Sequence, residues 1–217
     1  MIQTILNHKQ DINIVTNPGR NRGFIMHRKE KDTMGKRRLF VDMDGTLAEW
    51  KPTKKLETLY EEGYFLNLKP YENVVEAIKL IINQNPNIEV FVLSAYLRDS
   101  DYALSEKNTW LDKYLPEIDA EHRIFCTCQT RVNKKEYVPG GILETDCLLD
   151  DHSPNLNDWE PPAIGLKLLN GINGAGINWP GERISREDDP ELLRSKIYSH
   201  VFSDIAVDPD PEDDVEL

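Results

Sequence analysis

Two short apolar runs that each end in a pair of acids constrain this chain more than any other feature. The run LFV leads into Asp42 and Asp44, and the run CLL leads into Asp150 and Asp151. Burying carboxylates at a strand end costs free energy unless protons or a cation compensate, and a divalent metal ion is the natural compensator. If both runs are parallel strands of one sheet, the two acid pairs lie at the same edge, so the sequence predicts a metal site there.

Two common acid-containing motifs do not account for these pairs. An EF-hand loop needs glycine at its sixth position and glutamate at its twelfth, whereas here the fourth residue is Gly45 and the twelfth is Thr53. A Walker-B strand needs a GxxxxGK[ST] loop as its partner, and the chain contains none. The remaining alternative for Asp42 and Asp44 is a strand end whose aspartates cap a helix.

Between residues 39 and 206, short apolar runs alternate with amphipathic stretches, which is typical of βαβ units around a parallel sheet. The sequence therefore predicts a Rossmann-like α/β fold with helices flanking the sheet. The predicted strands are Leu39–Val41, Ile88–Leu93, Arg123–Cys126, Cys147–Leu149 and Ile164–Leu169. The predicted helices are Tyr71–Gln84, Ser100–Tyr114 and Glu187–Val201, the last with a buried face of Leu192, Leu193, Ile197 and Val201.

Two segments interrupt this alternation. Residues 47–70 follow the first strand and are predicted to form a small cap, with a short charged helix and an aromatic cluster of Trp50, Tyr60, Tyr64 and Phe65. The stretch Asn170–Gly181 is rich in Gly and Asn, which predicts a surface loop. This loop follows the last predicted strand, at the edge where open α/β sheets bind ligands.

The charge of the chain is unevenly distributed. The formal net charge is −12, yet residues 1–38 carry nine basic and three acidic residues, and residues 208–217 carry six acids and no base. We expect a flexible basic extension at 1–37, a single domain at 38–206 and a disordered acidic tail at 207–217. A basic arm that binds nucleic acid or a partner protein is the alternative. The acidic domain argues against binding to duplex nucleic acid.

Composition also bears on location. No apolar stretch approaches the roughly 20 residues of a membrane span, and the first residues lack the pattern of a secretory signal, so we expect cytoplasmic residence. The three cysteines include Cys126 and Cys128, whose spacing fits neither a disulfide framework nor a zinc site. We expect them to be reduced.

Two further polar positions are candidates for binding a phosphate. Ser94 and Ala95 directly follow the second predicted strand and offer a hydroxyl and backbone N–H groups, although a structural role for Ser94 is the alternative. Lys134 or its neighbour Lys135 would neutralise a bound phosphate, although paired lysines are also common on solvated surfaces.

In chain order, these features resemble the four motifs of haloacid-dehalogenase-type phosphatases. The motifs are DMDGT at 42–46, Ser94, a lysine near position 134 and LLDD at 148–151. The resemblance implies that family's α/β core, with a small cap inserted after the first strand.

Three longer stretches resemble one branch of that superfamily, the cytosolic and mitochondrial 5'(3')-deoxyribonucleotidases and their bacterial relatives. They are GYFLNLKPYENVVEAI at 63–78, EKNTWLDKYLP at 106–116 and DCLLDDHSPNLNDWE at 146–160. The resemblance extends over residues 38–180 or so.

The resemblance implies roles for the acids. Asp42 would be the nucleophile that forms an aspartyl-phosphate, and Asp44 would protonate the leaving alkoxide and then activate water. Asp42, the backbone carbonyl of Asp44 and Asp150 would hold Mg²⁺, with Asp151 as a ligand or its neighbour.

The resemblance also implies a phosphate site. Ser94, Ala95 and Lys134 would bind the phosphate oxygens. We assign Lys134 rather than Lys135 because the pattern Asn-Lys-x-x-Tyr resembles the relatives.

The cap departs from the family. Only about 50 residues separate the first two motifs, which is shorter than expected for the mammalian enzymes. Trp50, Tyr64 and Phe65 are the candidates for stacking on a nucleobase, and simple packing of the cap is the alternative.

The sequence thus predicts an Mg²⁺-dependent phosphomonoester hydrolase acting on a small molecule, a 5'-nucleotidase for nucleoside or deoxynucleoside monophosphates. The alternatives are a phosphatase for another small metabolite or a polynucleotide end, and a catalytically silent domain that binds a partner.

Overall fold

A six-stranded parallel sheet forms the centre of the protein, in the order β3-β2-β1-β4-β5-β6. The computed structural model describes residues 35–127, 133–172 and 179–203. The strands are β1 (Arg37–Val41), β2 (Ile88–Tyr96), β3 (Arg123–Thr127), β4 (Cys147–Asp150), β5 (Ile164–Leu169) and β6 (Arg183–Ser185). The helices are α1 (Glu72–Gln84), α2 (Ala103–Tyr114), α3 (Ser153–Leu156) and α4 (Pro190–Val201), with 3₁₀ helices at Leu56–Tyr60, Ala120–His122 and Lys134–Tyr137.

The alternation of side chains along β1 explains how the sheet is covered on both faces. Leu39 and Val41 pack into the larger apolar core with α1 and α4, while Phe40 packs on the other face against Leu148 and Trp159. Strands buried on both faces are characteristic of parallel sheets. The predicted α/β class and parallel sheet are therefore confirmed.

Local sequence signals explain where the later helices begin. The Ser100 hydroxyl accepts a hydrogen bond from the Ala103 N–H, so α2 starts at residue 103 instead of 100. The Asp189 carboxylate accepts one from the Leu192 N–H, and Pro190 occupies the first turn, so α4 starts later than predicted.

The prediction that Leu192 belongs to the buried face of α4 is wrong, because this side chain is 42% exposed. The buried residues Leu193, Ile197 and Val201 follow a spacing of four, which places Leu192 about 100° away around the helix. Strand β6 was not predicted, since three residues carry little periodic signal.

The predicted domain boundaries lie partly outside the described residues. Strand β1 begins at Arg37, the last residue of the expected extension. The rest of the extension up to residue 34, the acidic tail and Cys128 lie outside the described residues, as do residues 173–178 of the predicted loop. Among the described residues, no helix combines the length and apolar character needed to cross a membrane.

Candidate active site

The two acid pairs meet at the carboxyl edge of the sheet, because β1 and β4 are neighbours. Val41 pairs with Leu149, and the Asp42 N–H donates to the Leu149 carbonyl at 2.9 Å. The carboxylates of Asp42, Asp150 and Asp151 are buried and offer oxygens within 4.8 Å of one another. Three of the four residues expected to hold a metal are thus brought together by their side chains.

Lys134 lies between two of these acids. Its ammonium Nζ is 2.6 Å from Asp42 Oδ1 and 2.6 Å from Asp150 Oδ2, and the residue is only 3% exposed. Lys135, the alternative, instead pairs with Asp158 at the surface, 2.8 Å away. The short 3₁₀ helix at Lys134–Tyr137 therefore directs the first lysine inward and the second outward.

Burial of this cluster changes its protonation. It raises the pKa of Asp42 to about 8, an effect that Lys134 opposes and Asp150 reinforces. Burial alone would lower the pKa of Lys134, but Asp150 and Asp42 raise it above its usual range, so the lysine stays cationic.

This donor set fits Mg²⁺. Asp42, Asp150 and Asp151 bring three buried carboxyl groups together, and oxygen donors are those that Mg²⁺ prefers. The carboxylate of Asp44 does not belong to this group, which leaves its backbone carbonyl as the atom assigned from the resemblance.

The turns beside the acids are held by three residues for which the sequence analysis predicted no role. Gly45 has a φ of +87°, and a Cβ there would overlap the Asp151 carboxylate. Asn170 Nδ2 donates to the Gly45 carbonyl at 2.7 Å and to Asp151 Oδ2 at 2.8 Å. The buried Lys167 donates to the Asp151 carbonyl at 2.6 Å. The sequence did carry a signal for Lys167, because a lysine inside the apolar run IGLKLL indicates a buried ammonium that needs a partner.

Ser94 lies at the same edge, on β2, and is fully buried. Its hydroxyl accepts a hydrogen bond from Lys107 Nζ at 3.0 Å, and the same ammonium lies 2.5 Å from Asp44 Oδ2. Ala95 follows Ser94 and lines the cavity. Lys107 is thus the third buried lysine described at this site, after Lys134 and Lys167, and the sequence offered no signal for it beyond its place in the run EKNTWLDKYLP.

The site opens into a cavity of about 1240 Å³ between the sheet edge and the cap. Trp50 and Phe65 line it, although Phe65 is only 3% exposed. The Tyr64 ring contacts both of these rings edge-on, with its centroid 5.9 Å from that of Trp50 and 5.0 Å from that of Phe65. Its hydroxyl donates a hydrogen bond to the Lys51 carbonyl. The three candidate stacking residues thus form one aromatic cluster, of which Trp50 and Phe65 reach the cavity.

Comparison with known proteins identifies a family for this chain. Residues 43–173 match the model of a family described as 5' nucleotidase, deoxy (pyrimidine), cytosolic type C protein. Proteins named "Putative 5'(3')-deoxyribonucleotidase" are similar to this chain. One from Staphylococcus epidermidis is 25% identical over 118 residues, 54% of this chain and 58% of that protein. One from Staphylococcus aureus is 26% identical over 117 residues, which are 54% of this chain and 57% of that protein.

The chain therefore matches less than two thirds of the length of these curated relatives. Among solved structures, the HAD domain of effector protein Lem4 from Legionella pneumophila is similar at 13% sequence identity. That match covers 79% of this chain and 97% of the Lem4 chain, with a TM-score of 0.39.

Proposed function

The chain belongs to the cytosolic type C 5'-nucleotidase family, and from this premise we propose that it hydrolyses nucleoside 5'-monophosphates with Mg²⁺. The observation that carries the proposal is the buried contact of Lys134 with both Asp42 and Asp150 at the sheet edge. A lysine there neutralises a nucleophile and an incoming phosphate together.

In the first step, a carboxylate oxygen of Asp42 attacks phosphorus and the bond to the nucleoside oxygen breaks. Asp44 gives its proton to the leaving alkoxide, so the nucleoside departs as a neutral alcohol and an aspartyl-phosphate remains. Bound Mg²⁺, held by Asp42, Asp150, Asp151 and the Asp44 carbonyl, would supply positive charge that offsets repulsion between nucleophile and phosphate.

In the second step, Asp44 accepts a proton from water, and the water oxygen attacks phosphorus. The bond between phosphorus and Asp42 breaks, which regenerates the carboxylate and releases inorganic phosphate. Ser94, the Ala95 N–H and Lys134 hold the phosphate oxygens through both steps, since fixed donors cost no reorganisation during reaction.

The substrate class rests on the family and on the cap. The names of the staphylococcal relatives support a nucleotide, and Trp50 and Phe65 provide aromatic surface on the cavity wall for a nucleobase. We assign the catalytic domain to residues 38–206, with the cap at 47–70. The family's description as cytosolic supports a cytoplasmic location.

Phosphate release tests the proposal. The parent protein would be assayed with ribo- and deoxyribonucleoside monophosphates and with sugar phosphates, in Mg²⁺ and in EDTA, beside Asp42→Asn and the exposed control Asp101→Asn. We expect release from nucleotides that needs Mg²⁺, survives in Asp101→Asn and is lost in Asp42→Asn. Release mainly from sugar phosphates would keep the chemistry and overturn the substrate class. No release from a folded parent would favour the silent binding domain.

A further inference from the structure

The buried Lys107 has no role in the mechanism above, although three groups surround its ammonium. Lys107 lies in the first half of α2 and is fully buried. Its Nζ is 2.5 Å from Asp44 Oδ2, 3.0 Å from Ser94 Oγ and 5.0 Å from the centre of the Phe65 ring. A buried ammonium is costly unless paired, so these contacts fix the side chain in one place.

The two carboxylate oxygens of Asp44 differ sharply. Oδ2 is held by Lys107, whereas Oδ1 is buried and has no hydrogen-bond partner among the described residues. Asp44 also lines the cavity in which a substrate would lie. The Lys107 contact at Oδ2 fixes how the Asp44 side chain is turned at this cavity.

The helix that carries Lys107 is itself anchored. The neighbouring Glu106 is 7% exposed and accepts hydrogen bonds from the Gly63, Phe65 and Leu66 N–H groups of the cap, at 2.5, 3.0 and 3.2 Å. The first turns of α2 are thus tied to the cap by one side chain and to Asp44 by the next.

We propose that Lys107 is a positioning residue, which holds the Asp44 carboxyl group by Oδ2 at the cavity, beside the place of the leaving group. The inference rests on the proposed function and adds to it the group that orients the acid. Lys107 acts through Asp44 and Ser94, whereas Lys134 acts on the nucleophile. Lys107 and Lys134 therefore act on different carboxyl groups of the site.

Substrates with different leaving groups test this assignment. A nucleoside alkoxide needs a proton to depart, whereas p-nitrophenolate departs without one. The ratio kcat/KM reports the steps up to loss of the leaving group, so it isolates the acid role of Asp44. For Lys107→Met we expect kcat/KM to fall by about 100-fold for a nucleoside monophosphate and by less than about fivefold for p-nitrophenyl phosphate.

Three further variants make the result decisive. Lys107→Arg keeps a cationic donor and should recover part of the nucleotide activity, and Lys79→Met, at a half-buried surface ion pair on α1, should leave both rates unchanged. If Lys107→Met fails to fold in a thermal melt, Lys107→Gln replaces it, since its amide fills similar space without charge.

The outcomes are separable. Equal losses for both substrates in a folded Lys107 variant would overturn the positioning role and leave the proposed function intact. A parent that releases phosphate from neither compound would overturn the proposed function, and this inference with it. A selective loss of nucleotide hydrolysis that arginine partly restores supports the inference.

Discussion

The proposed catalytic centre and the proposed cap are built in contrasting ways. The centre consists of side chains at the ends of neighbouring strands, and buried ionic contacts such as Lys134 with Asp42 fix their positions. The cap at residues 47–70 contains one 3₁₀ helix and no α-helix. Its backbone donates to Glu106 and accepts from the Trp110 indole N–H at 2.8 Å, and its side chains Leu47, Phe65 and Leu68 are buried in the larger core.

The contrast shows how the two regions divide their tasks. Chemistry requires side chains placed to within a fraction of an ångström, which rigid strand ends provide. Recognition of the substrate requires a surface that differs between relatives, which an irregular segment provides. The centre is also electrostatically costly, because the carboxyl groups of Asp42, Asp150 and Asp151 are buried, whereas the cap buries aromatic surface.

The largest expected effect comes from removing the lysine of the centre. Lys134→Met leaves Asp42 and Asp150 buried beside each other without their shared cation. We expect the free energy of unfolding without Mg²⁺ to fall by about 3 to 5 kcal/mol, measured by urea denaturation. With Mg²⁺ added, nucleotide hydrolysis should fall by about 1000-fold, since fixed transition-state charge is lost.

The neighbouring lysine gives a matched control. Lys135 is paired with Asp158 at the surface, so Lys135→Met should change the free energy of unfolding by less than about 1 kcal/mol. Its nucleotide hydrolysis should change less than about fivefold. Equal effects of the two substitutions would contradict the separate environments described for these lysines.

The second prediction concerns how the stability of the fold depends on pH through the buried Asp42. A carboxyl with a pKa near 8 in the folded protein, against about 4 in the unfolded chain, stabilises the fold only at low pH. That stabilisation is lost as the pH rises through the interval. In EDTA, we therefore expect the Tm of the parent to fall between about pH 5 and about pH 8.

Asp42→Asn isolates this contribution, because its side chain does not titrate. The Tm of this variant in EDTA should fall less over the same interval and exceed that of the parent at the upper end. Mg²⁺ should close the gap by stabilising the parent. Parallel Tm curves for the two proteins would show that Asp42 does not carry the pH dependence.

The sequence predicted the centre more fully than the cap for a physical reason. In a parallel sheet, residues that follow neighbouring strands meet at one edge, so the runs before Asp42 and Asp150 were enough to bring these acids together. The predicted strands also lie where expected, because five apolar runs are long enough to show a pattern. The sequence predicted where the cap lies, but no comparable rule predicts which residues contact one another inside it.

The residues that the sequence missed are polar groups inside otherwise ordinary elements. Lys107 occupies a charged helix and Lys167 an apolar strand, and neither position indicates what its ammonium contacts. Asn170 fell at the start of a predicted loop, although its amide joins the turns that follow β1 and β4. Such contacts depend on tertiary packing, which spacing along the chain does not encode.

The smallest expected effect comes from loosening the cap while leaving the centre intact. Glu106→Gln keeps the shape of the side chain but replaces one acceptor oxygen with an NH₂ group. This group is a donor, so it cannot accept the hydrogen bond of the backbone N–H that it faces. Glu106 accepts from Gly63, Phe65 and Leu66 through both of its oxygens, so at least one contact is lost. We expect a loss of about 1 to 3 kcal/mol in the free energy of unfolding.

Hydrogen exchange locates the change, since local opening exposes only the amides that it frees. The N–H groups of Gly63, Phe65 and Leu66 should exchange faster in Glu106→Gln, while those of β1 keep most of their protection. Glu117→Gln, at an exposed position just beyond α2, should leave both sets unchanged. Uniform acceleration across β1 and the cap would mean that the two regions open together, and the contrast between a rigid centre and a separately attached cap would then be wrong.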